Sequence, residues 1–414
     1  MAEQSQQILT ADVLIVGGGQ AGAQSAVMLR REGFAGSILL ISDEGDSPYD
    51  RPPLSKDYLA GAVSFDRLLL HSPQGWADHG VLLKLGARAV AVDAGARQVT
   101  LSSGERVSFG HLIWAGGGRA RQLPCPGATL DGVHSIRTRL DVDRIRATLA
   151  DTVSVAIVGG GYIGLEAAAV LTKLGKRVTL LEVEDRVLAR VAGPPLSRFY
   201  EAEHRRHGVD LRLNVRVERL DGAGGHVRGV VLDDGSQIDA GLVIIGIGIV
   251  PNVEPLKTAG AAIGHGVKVD NACRTSLAGV FAIGDCAEHE NRFADGASIR
   301  LESIQNANDQ AAVVARAICG HPASYDATPW FWSNQYDLRL QSVGLHLGHD
   351  DLVVRGDPAQ RSFSVVYLRG GKVVGLDCVN AVRDYSHGRR LVTAGARPER
   401  SALADPDTPL KALG

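Results

Sequence analysis

The sequence predicts an α/β protein with two similar parallel-sheet domains, followed by a smaller α+β domain that contains an antiparallel sheet. Three observations support this prediction. A glycine-rich segment occurs twice, as VGGGQAG at 16–22 and VGGGYIG at 158–164. Each copy follows a short apolar run and precedes a helix-like stretch, which is the order of a βαβ unit. Near the C-terminus, at 362–368 and 372–376, apolar and polar residues alternate, which predicts antiparallel strands with one solvated face.

Each glycine segment begins a similar series of predicted elements. The helices that follow the two segments are predicted at 23–32 and 165–174. Each series then has a second strand, short antiparallel strands, and a closing strand at 112–115 or 242–245 that runs into another glycine-rich turn. These are duplicated βαβ units with an antiparallel insertion, so parallel sheets with crossover connections are expected.

The chain is predicted to return to its first domain after completing the second. A strand at 279–283 leads into Gly284 and Asp285, and a helix is expected after them. The last segment is rich in proline and arginine and is predicted to be irregular. The predicted boundaries are 1–118 with 249–323 for the discontinuous first domain, 119–248 for the second domain, and 324–414 for a C-terminal interface domain.

Composition limits the classes of function. A chain of 414 residues can form two or three domains with well-filled cores. The formal net charge of −2 argues against nucleic-acid binding. No run of 18 apolar residues is present, so no membrane span is expected. The first residues have neither the basic nor the apolar part of a signal peptide, and we therefore expect a cytoplasmic location.

The cysteines are scattered and form no C-x-x-C pair. This spacing disfavours a disulfide framework, a zinc site and a dithiol redox centre, so no metal site is predicted. Isolated cysteines of this kind are more often small buried apolar residues than catalysts. The positions are Cys125, Cys273, Cys286, Cys319 and Cys378.

The two glycine segments predict Rossmann-like dinucleotide-binding sites. Glycine permits the tight turn after the strand and lets backbone N–H groups approach a pyrophosphate at the helix N-terminus. An acidic residue follows each second strand, where it can accept hydrogen bonds from ribose hydroxyls. These residues are Asp43, with Glu44 as the alternative, and Glu182. Two such sites in one chain predict electron transfer between two bound dinucleotides.

Further segments make the chain resemble the FAD-dependent, NADH-using ferredoxin reductases that serve bacterial oxygenases. The resemblance covers nearly the whole chain and rests on the glycine segments together with RPPLSK (51–56), GIGIVPN (246–252), AIGDCA (282–287), RLESIQNA (300–307) and PWFWSNQY (329–336). It implies a glutathione-reductase-like, two-dinucleotide-binding flavoprotein fold. It also implies a 2Fe-2S ferredoxin partner that feeds a terminal oxygenase, either a cytochrome P-450 or a Rieske dioxygenase. One departure is Gly116, where the family commonly has threonine in Ala-Thr-Gly.

The resemblance also implies site residues. Non-covalent FAD is expected at the first glycine segment and NADH at the second. The residues predicted at the FAD site are Gly17, Gly19, Ala21, Gly22, Asp43, Arg51, Lys56, Ala89, Ala115, Arg137, Asp285, Ile304 and Trp330. The residues predicted at the NAD site are Gly159, Gly161, Tyr162, Ile163, Gly164, Glu182, Gly246, Gly248 and Glu302.

Catalytic and docking roles follow from the same resemblance. Lys56 is implied to lie beside the flavin ring, where an ammonium group stabilises the negative charge that arrives with a hydride. Glu166 is implied to pair with this lysine and orient it, so both are predicted catalytic residues. Trp330 is implied at the flavin edge where the ferredoxin docks. The candidates for a basic docking rim are Arg67, Arg300 and Arg339.

Glu182 favours NADH over NADPH because a carboxylate holds the 2′-hydroxyl and repels a 2′-phosphate. Arg186 lies four residues further on, and NADPH enzymes use arginine near this position. We interpret Arg186 as the salt-bridge partner of Glu182, which keeps the preference for NADH.

Two alternatives share parts of this pattern. A disulfide reductase or NADH oxidase of the same fold needs a redox cysteine near the first helix or the loop that follows the second strand, and neither segment contains one. A flavin-bearing signalling protein, in which NADH binding switches association, is expected to carry targeting or basic nucleic-acid-binding segments. No such segment is evident in the sequence.

Overall fold

The computed structural model describes residues 9–414, which divide into two compact units. Unit 1 contains the described residues through Arg51 together with Phe65–Arg119 and Pro251–Ala327. Unit 2 contains Pro52–Ser64, Ala120–Val250 and Thr328–Gly414. The segments predicted as the second and the C-terminal domains therefore belong largely to the same unit.

The elements follow one another in chain order. The strands are β1 (Leu9–Val16), β2 (Ile38–Ile41), β3 (Val81–Lys84), β4 (Ala89–Asp93), β5 (Gln98–Leu101), β6 (Arg106–Trp114), β7 (Gly118–Ala120), β8 (Val133–Ser135), β9 (Ser154–Val158), β10 (Arg177–Leu181), β11 (Asp210–Arg212), β12 (Val217–Ala223), β13 (His226–Leu232), β14 (Gln237–Asp239), β15 (Leu242–Ile245), β16 (Ile249–Pro251), β17 (Val267–Lys268), β18 (Val280–Ala282), β19 (Ala287–Glu290), β20 (Ser298–Ile299), β21 (Trp330–Gln335), β22 (Leu338–Gly344), β23 (Asp351–Asp357), β24 (Ser362–Arg369) and β25 (Lys372–Val379). The α-helices are α1 (Gln20–Arg31), α2 (Pro73–Asp78), α3 (Arg139–Leu149), α4 (Tyr162–Lys173), α5 (Pro194–Arg206), α6 (Glu254–Thr258), α7 (Ile304–Ile318), α8 (Val382–Ala394) and α9 (Arg400–Ala404). Short 3₁₀ helices cover Pro52–Ser55, Phe65–Leu68, Gly284–Cys286, Arg292–Ala294, Pro358–Gln360 and Leu410–Ala412.

Unit 1 is built on a seven-stranded sheet in the order β3-β2-β1-β6-β5-β4, with β18 also paired to β6. The pairings among β1, β2, β3, β6 and β18 are parallel, whereas β4 and β5 are added as antiparallel strands. Helices α1 and α7 pack against each other and cover one face of this sheet with small apolar side chains. The predicted return of the chain to the first sheet is therefore confirmed by β18, although two short strands precede α7.

Unit 2 contains the second parallel sheet, in the order β11-β10-β9-β15-β8. An antiparallel ribbon of β12, β13 and β14 is inserted before the closing strand β15, as the sequence predicts. Helix α4 begins at Tyr162, three residues earlier than predicted, because Leu165 N–H already bonds to the Gly161 carbonyl. The same holds for α1, where Ala23 N–H bonds to Gly19.

The C-terminal sheet has the order β21-β22-β25-β24-β23 and is antiparallel throughout. The prediction of one solvated face is wrong for its central strands, because almost every residue of β24 and β25 is buried. Helix α8 packs on β22 and β25, and the prediction of an irregular end is wrong for this segment. In the portion of the chain that the structure describes, every helix is too short or too polar to cross a bilayer.

Arg355 anchors the chain that follows α9. Its buried guanidinium forms an ion pair with Asp384 at 3.0 Å and donates to four backbone carbonyls, those of Leu403, Asp405, Pro406 and Thr408. Arginine suits this position because its planar group presents five donors at fixed angles. The proline-rich tail thereby acquires a defined path that local sequence preferences do not specify.

Candidate functional site

The first glycine loop joins β1 to α1 in unit 1. Gly17 has φ +118°, and a Cβ there would lie 2.2 Å from the Ala115 carbonyl oxygen. A Cβ at Gly22 would lie 1.9 Å from the carbonyl oxygen of Gly17, whereas Gly19 has only the Arg51 side chain nearby, at 3.9 Å. Side chains are thus excluded where the backbone turns, and the space above Gly19 is open. These residues fit the pyrophosphate of a bound dinucleotide.

The acidic residues after β2 differ in their surroundings. Glu44 accepts hydrogen bonds from Arg51 and from the Tyr49 hydroxyl, both at 2.5 Å. Asp43 is exposed, and its carboxylate has no hydrogen-bond partner among residues 9–414. The position directly after β2 is occupied by Ser42, whereas the corresponding position after β10 is occupied by Glu182. Of the two predicted ribose ligands, Asp43 is therefore the one whose carboxylate is not already paired, and its role stays a prediction.

Arg51 and Asp285 lie in the same unit as this loop. Burial acts to lower the pKa of Arg51, but the charges of Glu44, Tyr49 and Asp285 raise it overall, so the guanidinium stays charged. Asp285 belongs to the 3₁₀ turn after β18, and its carbonyl accepts a 2.5 Å hydrogen bond from Arg300.

The Arg300 side chain is only 17% exposed and also pairs with Glu302 at 2.9 Å. The interpretation of Arg300 as a residue of a basic docking rim therefore needs correction. Its guanidinium supports the Asp285 turn, because two partners in unit 1 occupy it.

Trp114 accounts for the glycine that replaces threonine after β6. A Cβ at Gly116 would lie 2.8 Å from the indole nitrogen of Trp114. That nitrogen donates to the Asn252 carbonyl at 2.8 Å, and the Asn252 amide donates back to the Gly116 carbonyl at 2.9 Å. The space for a threonine side chain is thus filled by the indole, and the local hydrogen bonding comes from Asn252 instead.

The remaining predicted residues divide between the units. Unit 1 contains Ala21, Ala89, Ala115, Ile304 and, from the predicted NAD set, Glu302. Unit 2 contains the whole second glycine segment together with three residues of the predicted FAD set, which are Lys56, Arg137 and Trp330. The roles of these residues stay predictions.

The second glycine loop joins β9 to α4 with the same geometry as the first. Gly159 has φ +110°, and a Cβ there would lie 2.4 Å from the Gly246 carbonyl oxygen. A Cβ at Gly164 would lie 2.0 Å from the carbonyl oxygen of Gly159, whereas nothing lies within 4 Å of a Cβ at Gly161. This loop also fits a dinucleotide pyrophosphate. Gly248, with φ +90°, closes the neighbouring turn after β15.

Glu182 is held against the second glycine loop. Its Oε2 accepts a 2.6 Å hydrogen bond from Gly160 N–H, and its Oε1 accepts a 2.9 Å bond from Glu184 N–H. Two backbone donors therefore fix the carboxylate at the end of β10 and leave some of its lone pairs unused, and its role as the ribose ligand stays a prediction.

Arg186 does not pair with Glu182, so that interpretation is wrong. Its guanidinium donates to the carbonyls of Ala189 and Ala192 and to the Ser197 hydroxyl, at 2.7–2.9 Å. It thus closes the loop that leads into α5. The sequence analysis did not single out Arg190. A guanidinium nitrogen of this residue lies 3.7 Å from the Cβ position of Gly248. Only the fold places it beside the glycine turns.

Tyr162 and Ile163 begin helix α4. The Tyr162 ring lies 4.5 Å from that of Phe331 in β21, and burial raises the pKa of its phenol well above the usual value. Ile163 is exposed. Tyr162 is half-buried and packs on Phe331, and Ile163 is the more exposed of the two side chains, so the roles of both at the NAD site stay predictions.

The predicted Lys56–Glu166 ion pair is present in unit 2. Lys56 Nζ lies 2.6 Å from Glu166 Oε2 and also donates to the Pro52 carbonyl at 3.1 Å. Glu166 is 2% exposed and accepts two further hydrogen bonds of 2.6 Å, from the hydroxyls of Ser55 and Ser333. Sequence reasoning missed both serines as functional residues. Their only signal was that each lies in a segment on which the resemblance rests.

The five cysteines are all free thiols. Burial raises the pKa of each thiol, to about 12 for Cys286 in the turn after β18. A thiolate is the form that attacks a disulfide, so these cysteines are poor redox nucleophiles. This geometry disfavours the disulfide-reductase alternative.

We therefore expect thiol-blocking reagents to leave the turnover of NADH with ferricyanide nearly unchanged. Mass spectrometry measures which cysteines are alkylated, and the half-buried Cys125 and Cys319 are expected to react first. The physical reason is that burial disfavours the thiolate form of all five cysteines, so none of them is expected to carry electrons. Loss of flavin reduction in step with alkylation of one cysteine would support a disulfide reductase instead.

Comparison with known proteins identifies two matching family models and several similar proteins. The family model of pyridine nucleotide-disulphide oxidoreductases matches residues 11–311, and a reductase C-terminal model matches residues 330–414. The ferredoxin reductase subunit of a 5,5′-dehydrodivanillate O-demethylase from Sphingobium sp. is 60% identical over 97% of this chain and 98% of its own. A ferredoxin–NAD(P)⁺ reductase from Sphingomonas sp. is 55% identical over 97% of each chain.

A solved structure extends the comparison to the fold. The covalent putidaredoxin reductase–putidaredoxin complex contains a chain that matches with a TM-score of 0.94 and 38% identity, over 97% of this chain and 98% of that one. The two-dinucleotide-binding fold and the C-terminal antiparallel sheet are thereby confirmed. The chain belongs to the pyridine nucleotide-disulphide oxidoreductase family, and the two relatives described above are named as ferredoxin reductases.

Proposed function

We propose that this protein is an NADH-dependent ferredoxin reductase, which passes electrons from NADH through FAD to a 2Fe-2S ferredoxin that feeds an oxygenase. The observation that carries the proposal is the pair of complete glycine loops, at Gly17 and Gly159, in which carbonyl oxygens exclude any side chain at the turn. Two dinucleotides bound by one chain are what hydride exchange between them requires. Two similar proteins are named as ferredoxin reductases, and a third, putidaredoxin reductase, was solved as a covalent complex with putidaredoxin.

Bound FAD would accept a hydride from NADH and release its electrons one at a time. The protein's contribution is to bind, orient and stabilise. The glycine loops direct backbone N–H groups at the pyrophosphates. Lys56 uses two of its three ammonium donors on Glu166 and Pro52, which leaves one N–H for a ligand. Three hydrogen bonds hold Glu166, so the ammonium charge is fixed before the reaction begins.

The preference for NADH over NADPH forms part of the proposal. The Glu182 carboxylate is fixed beside Gly160, and Arg186 does not neutralise it. A 2′-phosphate at this position would meet a like charge, whereas a 2′-hydroxyl can donate to it. A cytoplasmic location also remains part of the proposal, as does the class of oxygenase that the ferredoxin serves, a cytochrome P-450 or a Rieske dioxygenase.

Ferredoxin reduction provides the test. We expect electron transfer from NADH to a 2Fe-2S ferredoxin to fall steeply as salt is raised from low ionic strength, while reduction of ferricyanide barely changes. A protein partner must dock on charged residues, whereas a small oxidant needs only to reach the flavin. Both rates are measured spectrophotometrically over a salt series. If no 2Fe-2S ferredoxin from the same organism accepts electrons at any ionic strength, the proposal fails.

Charge reversal locates the docking surface. Arg339 on β22 is exposed, and Arg339→Glu is expected to lower ferredoxin turnover selectively, as is Trp330→Ala. The matched control is Arg228→Glu, which reverses an exposed arginine on β13. Equal losses in the Arg339 and Arg228 variants would mean that only net charge matters and that Arg339 has no docking role.

A further inference from the structure

A chain of buried side chains extends from Glu166 within unit 2. Ser333 donates to Glu166 Oε1 at 2.6 Å, and Gln335 Nε2 lies 3.2 Å from the Ser333 hydroxyl oxygen. Gln335 Oε1 lies 2.9 Å from His204 Nε2, and His204 Nδ1 lies 3.1 Å from the Tyr336 hydroxyl. Ser333, Gln335 and His204 are each at most 1% exposed. Polar groups buried this deeply are costly unless every one is paired, and here each has a partner.

The direction of every hydrogen bond follows from Glu166. A carboxylate only accepts, so the single hydroxyl proton of Ser333 is donated to it, and the Ser333 oxygen must accept from Gln335. Gln335 then presents its carbonyl oxygen to His204, which must carry its proton on Nε2. A neutral imidazole has one N–H, so Nδ1 accepts from Tyr336. All four donors therefore point toward Glu166.

His204 meets the condition that this arrangement requires. Burial lowers its pKa to about 4, although the hydrogen bond with Gln335 opposes the shift and the neighbouring His207 adds to it. The ring is therefore neutral near pH 7. The Tyr336 ring lies beside it at 5.1 Å and stacks on His207 at 3.7 Å, which covers this end of the chain of hydrogen bonds.

We propose that Gln335 and His204 are positioning residues for the Lys56–Glu166 pair: they orient the Ser333 hydroxyl toward Glu166 and so hold the Lys56 ammonium in one place. This inference rests on the proposed function, because it assigns the pair a part in flavin reduction. Gln335 in β21 and His204 in α5 would thus orient the Lys56–Glu166 pair without contacting Lys56, through hydrogen bonds whose donors all point toward Glu166. Neither Gln335 nor His204 touches a ligand in this account.

The tautomer of His204 is the first test, and it needs no activity. Two-bond ¹H–¹⁵N correlation spectra of the full chain labelled with ¹⁵N-histidine distinguish the Nε2–H form from the Nδ1–H form. The His204 signals are assigned by their loss in His204→Phe. We expect the neutral Nε2–H tautomer at pH 7. The Nδ1–H tautomer or an imidazolium would overturn the proposal, since Gln335 could then not be oriented as described.

Gln335→Glu is the second test, because it keeps the side-chain shape and replaces the amide donor by an acceptor. The single proton of the Ser333 hydroxyl can then be donated to only one of two neighbouring carboxylates. His204 faces a carboxylate in place of an amide oxygen. We expect the limiting rate of FAD reduction in stopped-flow experiments to fall about tenfold with the Kd for NADH unchanged. The His204 signals of this variant should move to those of an imidazolium at pH 7.

A matched variant and a smaller change complete the test. Gln237→Glu adds the same charge at an exposed position of β14 and should leave both readouts unchanged. Ser333→Ala removes only the hydroxyl, so it tests the chain if Gln335→Glu does not fold, and it should also slow the limiting rate. A wild-type limiting rate in Ser333→Ala would overturn the proposal. A wild-type protein that never reduces FAD with NADH would instead overturn the proposed function, while the histidine tautomer still reports on the hydrogen bonds.

Discussion

Replacing Lys56 with methionine is expected to slow the reduction of bound FAD by NADH roughly 10- to 150-fold while FAD remains bound. The ammonium stabilises negative charge that arrives with the hydride, so its loss raises the barrier by about 1.4–3 kcal/mol. Methionine keeps the length of an unbranched chain but removes the charge. It also leaves Glu166 with two hydroxyl donors and no counter-charge, in a site where the carboxylate is 2% exposed.

Stopped-flow absorbance of the flavin measures this rate, and the absorbance ratio of protein to flavin measures FAD content. Lys257→Met, which removes an exposed lysine of α6, is the control and should keep the wild-type rate. Glu166→Gln should slow reduction in the same direction, because an amide holds the ammonium less firmly than a carboxylate does. A wild-type rate in Lys56→Met would show that neither Lys56 nor Glu166 takes part in hydride transfer.

Replacing Glu182 with alanine is expected to shift the ratio of kcat/KM for NADPH to that for NADH by roughly 10- to 100-fold toward NADPH. The variant loses the carboxylate that repels a 2′-phosphate and accepts from a 2′-hydroxyl. In the wild-type protein, Gly160 N–H and Glu184 N–H donate to the Glu182 carboxylate. The variant leaves both N–H groups free to donate to a phosphate. Arg186 adds little to this shift, because its donors are used within its own loop.

Steady-state turnover with ferricyanide gives both constants. Glu184→Ala is the control, since it removes an exposed carboxylate two residues away and keeps the backbone N–H that bonds to Glu182. Its cofactor preference should match that of the wild type. Equal kcat/KM for NADH and NADPH in the wild-type protein would contradict the role assigned to Glu182.

The tertiary structure revised the interpretation of two arginines. Arg186 lies four residues from Glu182, yet its guanidinium is occupied by carbonyls of its own loop. Arg300 was expected on a basic rim, yet it supports the turn at Asp285. Sequence distance cannot decide such cases, because a guanidinium has five donors and takes whichever acceptors the fold brings within reach.

By itself, the sequence determined the two βαβ units and the two nucleotide loops. The loops could be predicted because a backbone turn that no Cβ can enter requires glycine, and a requirement of this kind is visible in one dimension. The ion pair was predictable only through the resemblance. What surrounds the pair was decided by the tertiary structure alone. Ser333, Gln335 and His204 come from two distant segments, and their hydrogen bonds depend on how strand β21 meets helices α4 and α5, which no local pattern specifies.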